Sequence, residues 1–397
     1  MRLSSKADIL RLDEVTRRPD NEKRRKIISK IRLDTELPRY GLDRCCVEES
    51  QAMIDENNRA FNGHISSLFR VLSAWESTGL TLELRAFSIN DERHILKRNP
   101  SVRTDRYLTC PSSDMSPRPL QLTLGSLLDV EDDLPEVSAV TQFIVSRENL
   151  RGLGPATLAQ LVKRLPRLQD IVYESWRDID EEGQKKRDAA IEALLGGLQS
   201  HLFIKNVSIW EAHQLDPRQL DRPGNPALAL AAAKLSQRLK SFSASFVFDA
   251  LDFFSYCERI PLSSWPKLES IALTSGVVGN SRALVADRLI IQAGQVALRM
   301  PKLRLMELWH SDQSGYQWFL FRYEIVKKRP KVMIQVAMRE LKLSQRAREV
   351  WSRVAASVPG PGLEVEDTTP NGLKIFPVKI RLRSNVRQDI TTRVPLP

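Results

Sequence analysis

The sequence has few cysteines and no long apolar run, and both shortages exclude classes of protein. Four cysteines, Cys45, Cys46, Cys110 and Cys257, are too few and too unevenly spaced for a disulfide framework or a CxxC zinc site. The most apolar short run ends at Lys234, far below the roughly 20 residues that cross a bilayer. The N-terminus meets charge at once and lacks the apolar core of a signal peptide. We therefore expect an intracellular protein, cytoplasmic or nuclear, with no membrane span.

Motifs of catalysis and metal binding are also missing. The five histidines show no HxxxH or HExxH spacing that would place two ligands on one helix face. The stretch Gly152-Leu-Gly154-Pro155 lacks the third glycine and the Lys-Ser/Thr of phosphate-binding loops, so it predicts a turn and a helix cap. There is no GxSxG elbow, and Cys45-Cys46 has no neighbouring histidine. The sequence therefore predicts a protein that is not an enzyme and that takes neither metal nor cofactor.

Basic residues exceed acidic ones, and the surplus is concentrated in two stretches. The chain carries 60 Lys+Arg against 49 Asp+Glu, a formal net charge of +11, and the surplus in residues 1–40 and 321–354 together exceeds this total, so the rest of the chain is about neutral. The second stretch contains a basic patch, Lys327, Lys328 and Arg329. Such runs either follow the phosphates of nucleic acid or simply form a solvated surface. Both interpretations stay open.

A repeated pattern runs through the middle of the chain. Three segments share an apolar residue, Pro, a basic residue, Leu and apolar positions three and five residues after that Leu: Leu165–Tyr173, Trp265–Leu273 and Met300–Leu308. Weaker copies fit the same frame, so the repeats start at positions 140, 168, 204, 239, 268 and 303. Self-similarity at such intervals is typical of repeat architectures.

Each repeat unit predicts a strand followed by a helix. In the L-x-x-L-x-L frame the last two apolar side chains point to the same side of a strand. The intervening segments have helical spacing, as in Leu158, Leu161 and Val162, and Pro155 suits the first helical position. One unit cannot bury its apolar face alone, so neighbours must stack. The sequence predicts an α/β fold, a leucine-rich-repeat-like curved solenoid with a parallel strand face and outer helices.

Further elements are expected on both sides of these repeats. We predict a first strand within 28–37, a helix over 47–75 and a second strand at 80–84. Residues 98–119, rich in Pro, Ser, Thr and Asp, predict a long exposed loop. Ser281 and Ser344 are predicted helix N-caps. Two short strand-like runs, 363–366 and 373–376, are expected near the end.

Residues that alternate with the inward-facing ones form a candidate binding face. The centre of this face is small and polar, and two tryptophans stand in one row of it. Exposed tryptophan beside small polar residues is typical of an interaction hot spot. The alternative is that a loop or the terminal helix covers both tryptophans as core residues. The candidate residues are Glu174, Ser208, Trp210, Ser243, Ser245, Thr274, Glu307 and Trp309.

Four strings carry a family resemblance: Ile31–Tyr40, Leu68–Trp75 with Gly79–Leu84, Ala297–Leu303 and Arg348–Ala355. They resemble a large set of uncharacterised filamentous-fungal proteins, from near residue 25 to near residue 360. In those relatives an N-terminal F-box commonly precedes a leucine-rich-repeat-like array. The resemblance implies the repeat fold and the substrate-recognition part of an F-box-type ubiquitin-ligase receptor.

The N-terminus departs from that family pattern. An F-box often opens with a Leu-Pro-x-Glu-Ile type segment, and no such segment stands here. We therefore expect residues 1–27 to be a basic segment where a truncated F-box would lie, residues 28–360 to form the irregular solenoid, and residues 361–397 to hold C-terminal strands and a frayed tail. A ubiquitin-ligase adaptor would then be a partner only of a longer form.

Two functions follow as hypotheses. The first is a non-enzymatic scaffold for protein–protein interaction, with a protein partner on the strand face. The alternative is a nucleic-acid or chromatin-associated binder that uses the basic terminal regions, and its affinity would fall steeply with salt.

Overall fold

The computed structural model describes most of the chain as two compact units. It describes residues 1–17, 22–41, 49–76, 79–90, 134–146, 151–176, 181–212, 224–259, 264–276, 283–311, 318–336, 342–360 and 362–367. The first unit runs from Met1 to Ile204, and the second begins at Lys205. The predicted loop at 98–119, the predicted cap at Ser281 and the predicted strand at 373–376 lie outside the described residues.

The first unit contains parallel strands in chain order. Its strands are β1 (Arg2–Leu3), β2 (Lys30–Glu36), β3 (Leu80–Phe87), β4 (Val140–Val145) and β5 (Asp170–Trp176). Each pairs with the next in parallel. Its helices are α1 (Lys6–Thr16), α2 (Glu22–Ile27), α3 (Gln51–Ser73), α4 (Pro155–Lys163) and α5 (Glu181–Gln199). The strands and the helix predicted within 28–84 are confirmed by β2, α3 and β3.

The second unit continues the strand–helix alternation and then changes it. Its strands are β6 (Asn206–Ala212), β7 (Ser241–Ser245), β8 (Ser270–Thr274), β9 (Leu305–Ser311), β10 (Trp318–Val326), β11 (Arg329–Val336) and β12 (Glu364–Asp367). Its helices are α6 (Pro226–Ser236), α7 (Ala250–Arg259), α8 (Ala283–Ala297) and α9 (Gln345–Ala355). Strands β6 to β9 pair in parallel, whereas β10 is antiparallel to both β9 and β11. The α/β class is confirmed, and the β10–β11 hairpin is an addition that the repeat frame did not predict.

The repeat pattern correctly predicts which strand residues point inward, toward the helices. Pairs predicted to point inward are at most 2% exposed in β5, β7, β8 and β9 alike: Ile171 and Tyr173, Phe242 and Ala244, Ile271 and Leu273, Met306 and Leu308. Strand sterics explain this regularity, since side chains of a strand alternate with a period of two.

The Pro-containing turn before each strand is the most regular part of the repeat. The apolar residue before Pro is buried, and its carbonyl accepts a hydrogen bond from the amide three residues later. The three turns join Leu165 to Leu168 at 3.0 Å, Trp265 to Leu268 at 3.4 Å and Met300 to Leu303 at 3.0 Å. Each proline lies beyond the end of the preceding helix, and because it has no amide hydrogen it cannot continue that helix.

Helices cover the inward face of the second unit. The Phe242 ring lies 6.2 Å from the Phe253 ring of α7. Trp351 of α9 lies 5.0 Å from the Phe321 ring, and its indole nitrogen donates to the Ile290 carbonyl of α8 at 3.1 Å. The apolar core therefore lies between the strands and this helix layer, and the opposite strand face carries the candidate residues.

Helix starts follow the expected capping chemistry. Gly154 is the N-cap of α4 with Pro155 at its first position, as predicted. The Ser344 hydroxyl accepts from the Ala347 amide at 3.1 Å, which confirms the cap of α9. Residues 1–27 include α1, whose N-cap Ser5 forms a reciprocal capping box with Asp8. None of the helices in the described part of the chain is long and apolar enough to cross a membrane.

Candidate functional site

The register of β6 to β10 defines the strand face of the second unit. One row across it contains Ser208, Ser243, Ala272, Glu307 and Arg322, each paired with the next. In the neighbouring row Trp210 pairs with Ser245, Thr274 with Trp309, and Trp309 with Leu320. We call this side of the strands, opposite the helices, the strand face. The predicted alternation of these residues with the inward ones is confirmed.

Trp210 and Trp309 meet above the two strands that separate them. They stand on β6 and β9, three strand spacings of about 4.8 Å apart. Their ring centroids nevertheless lie 5.6 Å apart with the planes inclined by 26°. The positions between them in the row are Ser245 and Thr274, whose small side chains leave room above β7 and β8 for two indoles. The small residues at the centre of the face therefore provide the space in which the two tryptophans stack.

Phe246 closes this pair from the end of β7. Its ring contacts Trp210 and Trp309 edge-on, with centroid distances of 5.1 and 5.2 Å. It has a φ of 60°, a left-handed conformation that is unusual for a bulky residue. Its amide donates to the Thr274 hydroxyl at 2.6 Å, which holds this backbone in place. Sequence reasoning missed Phe246, because a left-handed phenylalanine leaves no sequence signal.

The two tryptophans are buried, which corrects the expectation of an exposed aromatic hot spot. Trp210 is 7% exposed and Trp309 is 0% exposed. They pack in one cluster with Ala272, Trp318 and Leu320. We call these five residues the tryptophan cluster. The physical reason is the β10 strand, which places Leu320 directly opposite Trp309 and supplies the cover that the repeat frame alone did not predict.

Several polar groups beneath the cluster have no hydrogen-bond partner among the described residues. They are the Ser243 and Ser245 hydroxyls and the indole nitrogen of Trp309. Ser243 is 4% exposed, and Ser245 and Thr274 are buried too. A buried unsatisfied donor costs about 1–3 kcal/mol. The burial of Ser243, Ser245 and Thr274 also corrects the expectation that they line an accessible surface.

Glu307 is engaged in an internal ion pair. Its Oε1 accepts from Arg322 Nε at 2.8 Å, and the two side chains are 0% and 7% exposed. Arg322 lies directly opposite on β10, so the pairing is fixed by strand register. The guanidinium compensates the desolvated carboxylate, which is therefore not presented to a partner. Glu174 belongs to β5 of the first unit and is 4% exposed, so it too departs from the expected open position.

The accessible part of the strand face lies toward the amino ends of its strands. Asn206, Ser208, Ser241, Ser270 and Leu305 are all partly exposed. Asn206 pairs with Ser241, Ser241 with Ser270, and Ser270 with Leu305, so four of these residues form a continuous row. Ser208 lies beside this row on β6, two residues after Asn206. We call the four row residues and Ser208 together the polar row. Of the candidate residues predicted from the sequence, only Ser208 lies in this accessible part.

A carboxylate joins the carboxyl ends of β7 and β8. Asp249 accepts from the Ser275 hydroxyl at 2.8 Å and from the Gly276 amide at 2.9 Å. It also accepts from the Leu251 amide at 2.8 Å, at the start of α7. Burial, with the Asp249 charge as a second cause, raises the pKa of Asp252 above its usual range. This arrangement anchors the end of β8 on α7.

The basic patch is the turn of the β10–β11 hairpin. Lys327 and Lys328 are the two turn residues, and Val326 pairs with Arg329 across them. All three basic side chains are exposed, as expected for this patch. The phosphate contact proposed for them is untested by this geometry.

One cysteine, Cys257, lies among the described residues. Burial raises the pKa of the Cys257 thiol to about 12, so it stays protonated near neutral pH. No group of three or more His, Cys, Asp or Glu side chains in the described ranges could hold a metal ion. Cys45, Cys46, Cys110, His94 and His213 lie outside those ranges.

Comparison with known proteins gives one match. Residues 197–385 match the model of a family described as a family of unknown function, DUF6546. The matched stretch includes the tryptophan cluster, the polar row and the β10–β11 hairpin. No curated protein matches the chain, and no solved structure matches it.

Proposed function

We propose that the protein is a non-enzymatic interaction scaffold, a leucine-rich-repeat-like solenoid whose strand face holds a protein partner. The observation that supports this most directly is the polar row, which is partly exposed beside the closed tryptophan cluster. Parallel strands that are packed by helices on one side carry a continuous second face. A repeat array of this kind uses such a face for binding.

The chemistry of the polar row suits an extended protein segment. Its Asn and Ser side chains both donate and accept hydrogen bonds, so they can pair with the backbone of a partner. Their small size lets that backbone approach closely, and Leu305 adds an apolar contact at one end. The tryptophan cluster acts as a rigid wall beside the row rather than as the contact itself, because its two indoles are buried.

The family resemblance favours one class of scaffold. Proteins with an F-box ahead of such an array present substrates to a ubiquitin ligase, so the polar row would be the substrate-recognition surface. An adaptor of the ligase would then bind only to a longer form that includes the F-box.

Paired substitutions on the polar row test this proposal. Ser208→Arg with Ser241→Arg places two large cations on the row, whereas Ser352→Arg places one on the exposed side of α9 as a control. Affinity capture from a filamentous-fungal lysate should recover a protein with wild type and with the control variant, but not with the double variant. Titration calorimetry with the purified partner should show the same loss.

Two outcomes would contradict the proposal. A partner whose affinity is equal for wild type and S208R/S241R binds elsewhere. Turnover of a small molecule by the purified chain, abolished by a single substitution that leaves the fold intact, would contradict the non-enzymatic proposal. Circular dichroism must first show that all variants fold.

A further inference from the structure

The amino ends of the strands in the second unit form a second surface. In parallel strands every helix-to-strand turn arrives at the same edge of the sheet. The Lys240 amide donates to the Lys205 carbonyl at 2.7 Å, and the Arg304 amide donates to the Glu269 carbonyl at 2.8 Å. The Glu269 amide donates to the Lys240 carbonyl at 2.8 Å. The residues that precede β6 to β9 are therefore direct neighbours, spaced by about 4.8 Å.

Exposed basic side chains dominate this edge. We call the following residues the basic edge: Lys205, Arg238, Lys240, Lys267, Lys302, Arg304, Lys327, Lys328 and Arg329. Glu269 is the one acidic residue in the described turns before β6 to β9, and Glu364, at the start of β12, forms an ion pair with Lys331 of β11. The Glu269 carboxylate oxygen Oε2 lies 3.5 Å from Lys240 Nζ, so the two side chains form an ion pair. Lys302, Arg304 and the hairpin cations form no ion pair with another described residue, so their charge is directed to solvent.

The β10–β11 hairpin extends the basic edge beyond the parallel strands. The Ile325 amide donates to the Arg304 carbonyl at 2.9 Å, so the hairpin turn emerges beside the start of β9. Lys327 and Lys328 have φ values of 48° and 63°. Two-residue turns with positive φ at both positions favour Asn-Gly, since the left-handed conformation is unfavourable for most other residues. The two lysines place positive charge at the tip of the hairpin, although the backbone conformation of this turn favours Asn and Gly.

The turn is also held in place from outside the hairpin. A Cβ added at Gly360 would lie 2.8 Å from the Lys328 carbonyl oxygen, so only glycine permits this close approach. The strained lysine turn is thus supported by packing, as expected where an unfavourable conformation is retained for a reason.

The composition of the edge favours nucleic acid over a lipid surface. Membrane-binding surfaces combine basic residues with aromatic or large apolar side chains that insert. In the described turns of this edge, the exposed large apolar side chains are Leu202 and Phe203 before β6, at 81% and 44%, and Leu298 and Val326 farther along, at 40% and 38%. The described turns from Lys240 to Arg329 expose no aromatic ring, and a line of exposed cations of this kind suits a polymer of phosphates.

We propose that the basic edge binds the phosphate backbone of nucleic acid, without reading its base sequence. Lys and Arg contacts to phosphates fix position and supply affinity but carry no sequence information. This surface is distinct from the polar row, so a scaffold could bind protein and nucleic acid through separate residues.

A hairpin variant that removes charge without harming the fold tests this inference. K327N/K328G deletes two cations and supplies the turn residues that positive φ favours, so it should fold at least as stably as wild type. R346Q/R353Q removes two exposed cations from α9 and is the matched control. Binding of the full chain to a labelled DNA duplex is followed by fluorescence anisotropy over a salt series.

The expected result is a salt-dependent affinity that the hairpin variant weakens and the control does not. Loss of two phosphate contacts should reduce the slope of log affinity against log salt by about 1.8. No duplex binding by wild type at low salt, or equal loss in both variants, would overturn the proposal. Tighter binding to poly-glutamate than to duplex at equal salt would also overturn it and assign the edge to an acidic protein.

Discussion

Truncation of Trp309 tests whether the tryptophan cluster is a folded core or a contact surface. Trp309 is fully buried, and its ring lies 5.6 Å from Trp210 and 5.2 Å from Phe246. Truncating a buried tryptophan to alanine costs about 3–5 kcal/mol. Its indole nitrogen has no described partner, and deleting a buried unpaired donor returns about 1–3 kcal/mol. We expect Trp309→Ala to lower the free energy of unfolding by about 2 kcal/mol, the difference between the midpoints of these two ranges.

A double-mutant cycle separates the stacking from simple burial. Trp210→Ala, Trp309→Ala and the double variant should show a coupling energy of about 0.5–1.5 kcal/mol, the value for an aromatic pair beyond its buried area. Trp309→Phe keeps a ring in the stack and removes the unpaired donor, so it should cost less than alanine. Urea denaturation of the full chain, followed by far-UV circular dichroism, gives these free energies.

Leu284→Ala is the control, because that side chain is 86% exposed. It should change stability by less than about 0.5 kcal/mol. If Trp309→Ala costs no more than this control and the coupling is zero, the tryptophans do not form a core. If the expected values are found, loss of binding by a tryptophan variant would report unfolding rather than a lost contact. Substitutions in the polar row are therefore the better probe of partner binding.

Three further predictions concern a buried ion pair, two helix glycines and a carboxyl group with a raised pKa. Glu307→Gln leaves Arg322 buried without its carboxylate, so the free energy of unfolding in urea should fall by about 3–5 kcal/mol; an unchanged value would mean that the pair is solvated. Gly294→Ala places a Cβ 2.5 Å from a Val350 methyl carbon and should cost about 1–3 kcal/mol in thermal melts. Gly196→Ala on α5 meets nothing within 4 Å and should stabilise by about 0.5–1 kcal/mol, and the reverse order would contradict this reasoning. Asp252→Asn should stabilise the fold at neutral pH, because a raised pKa means that the folded chain disfavours the carboxylate. That gain should vanish as the pH falls through the folded pKa toward the unfolded value, where both states are protonated, and a pH-independent gain in melting temperature would exclude this cause.

The inward side of the strands could be predicted because it depends on local geometry alone. A period of two within each strand and a fixed Pro-containing turn before it determine which side chains face the helices. Ile271 and Leu273 of β8 illustrate this, since both are fully buried as the frame requires. Helix starts at Gly154 and Ser344 were predictable for the same reason, because capping is a local interaction.

Whether the residues of the strand face are exposed or buried could not be predicted, because their burial depends on β10, a strand outside the repeat frame. Residues 318–323, Trp-Phe-Leu-Phe-Arg-Tyr, are apolar on both sides and show no alternation. A run of that kind does not specify a direction or a partner strand. Whether Trp309 is exposed or buried is decided by Leu320 opposite to it, which is a matter of tertiary pairing. The same pairing assigns Glu307 to Arg322 instead of to a binding partner.

The Pro-containing turn combines buried residues that the fold requires with an exposed basic residue that it does not require. Its buried apolar residue, proline and leucine are required to end one helix and begin the next strand. The basic residue between proline and leucine, Lys267 or Lys302, is exposed, and the turn geometry makes no demand on its charge. Substitution of these two lysines by glutamine should therefore leave stability within about 0.5 kcal/mol of wild type. If nucleic-acid affinity falls in that variant while stability holds, the positive charges of the repeat serve binding, and if both are unchanged they are only a solvated surface.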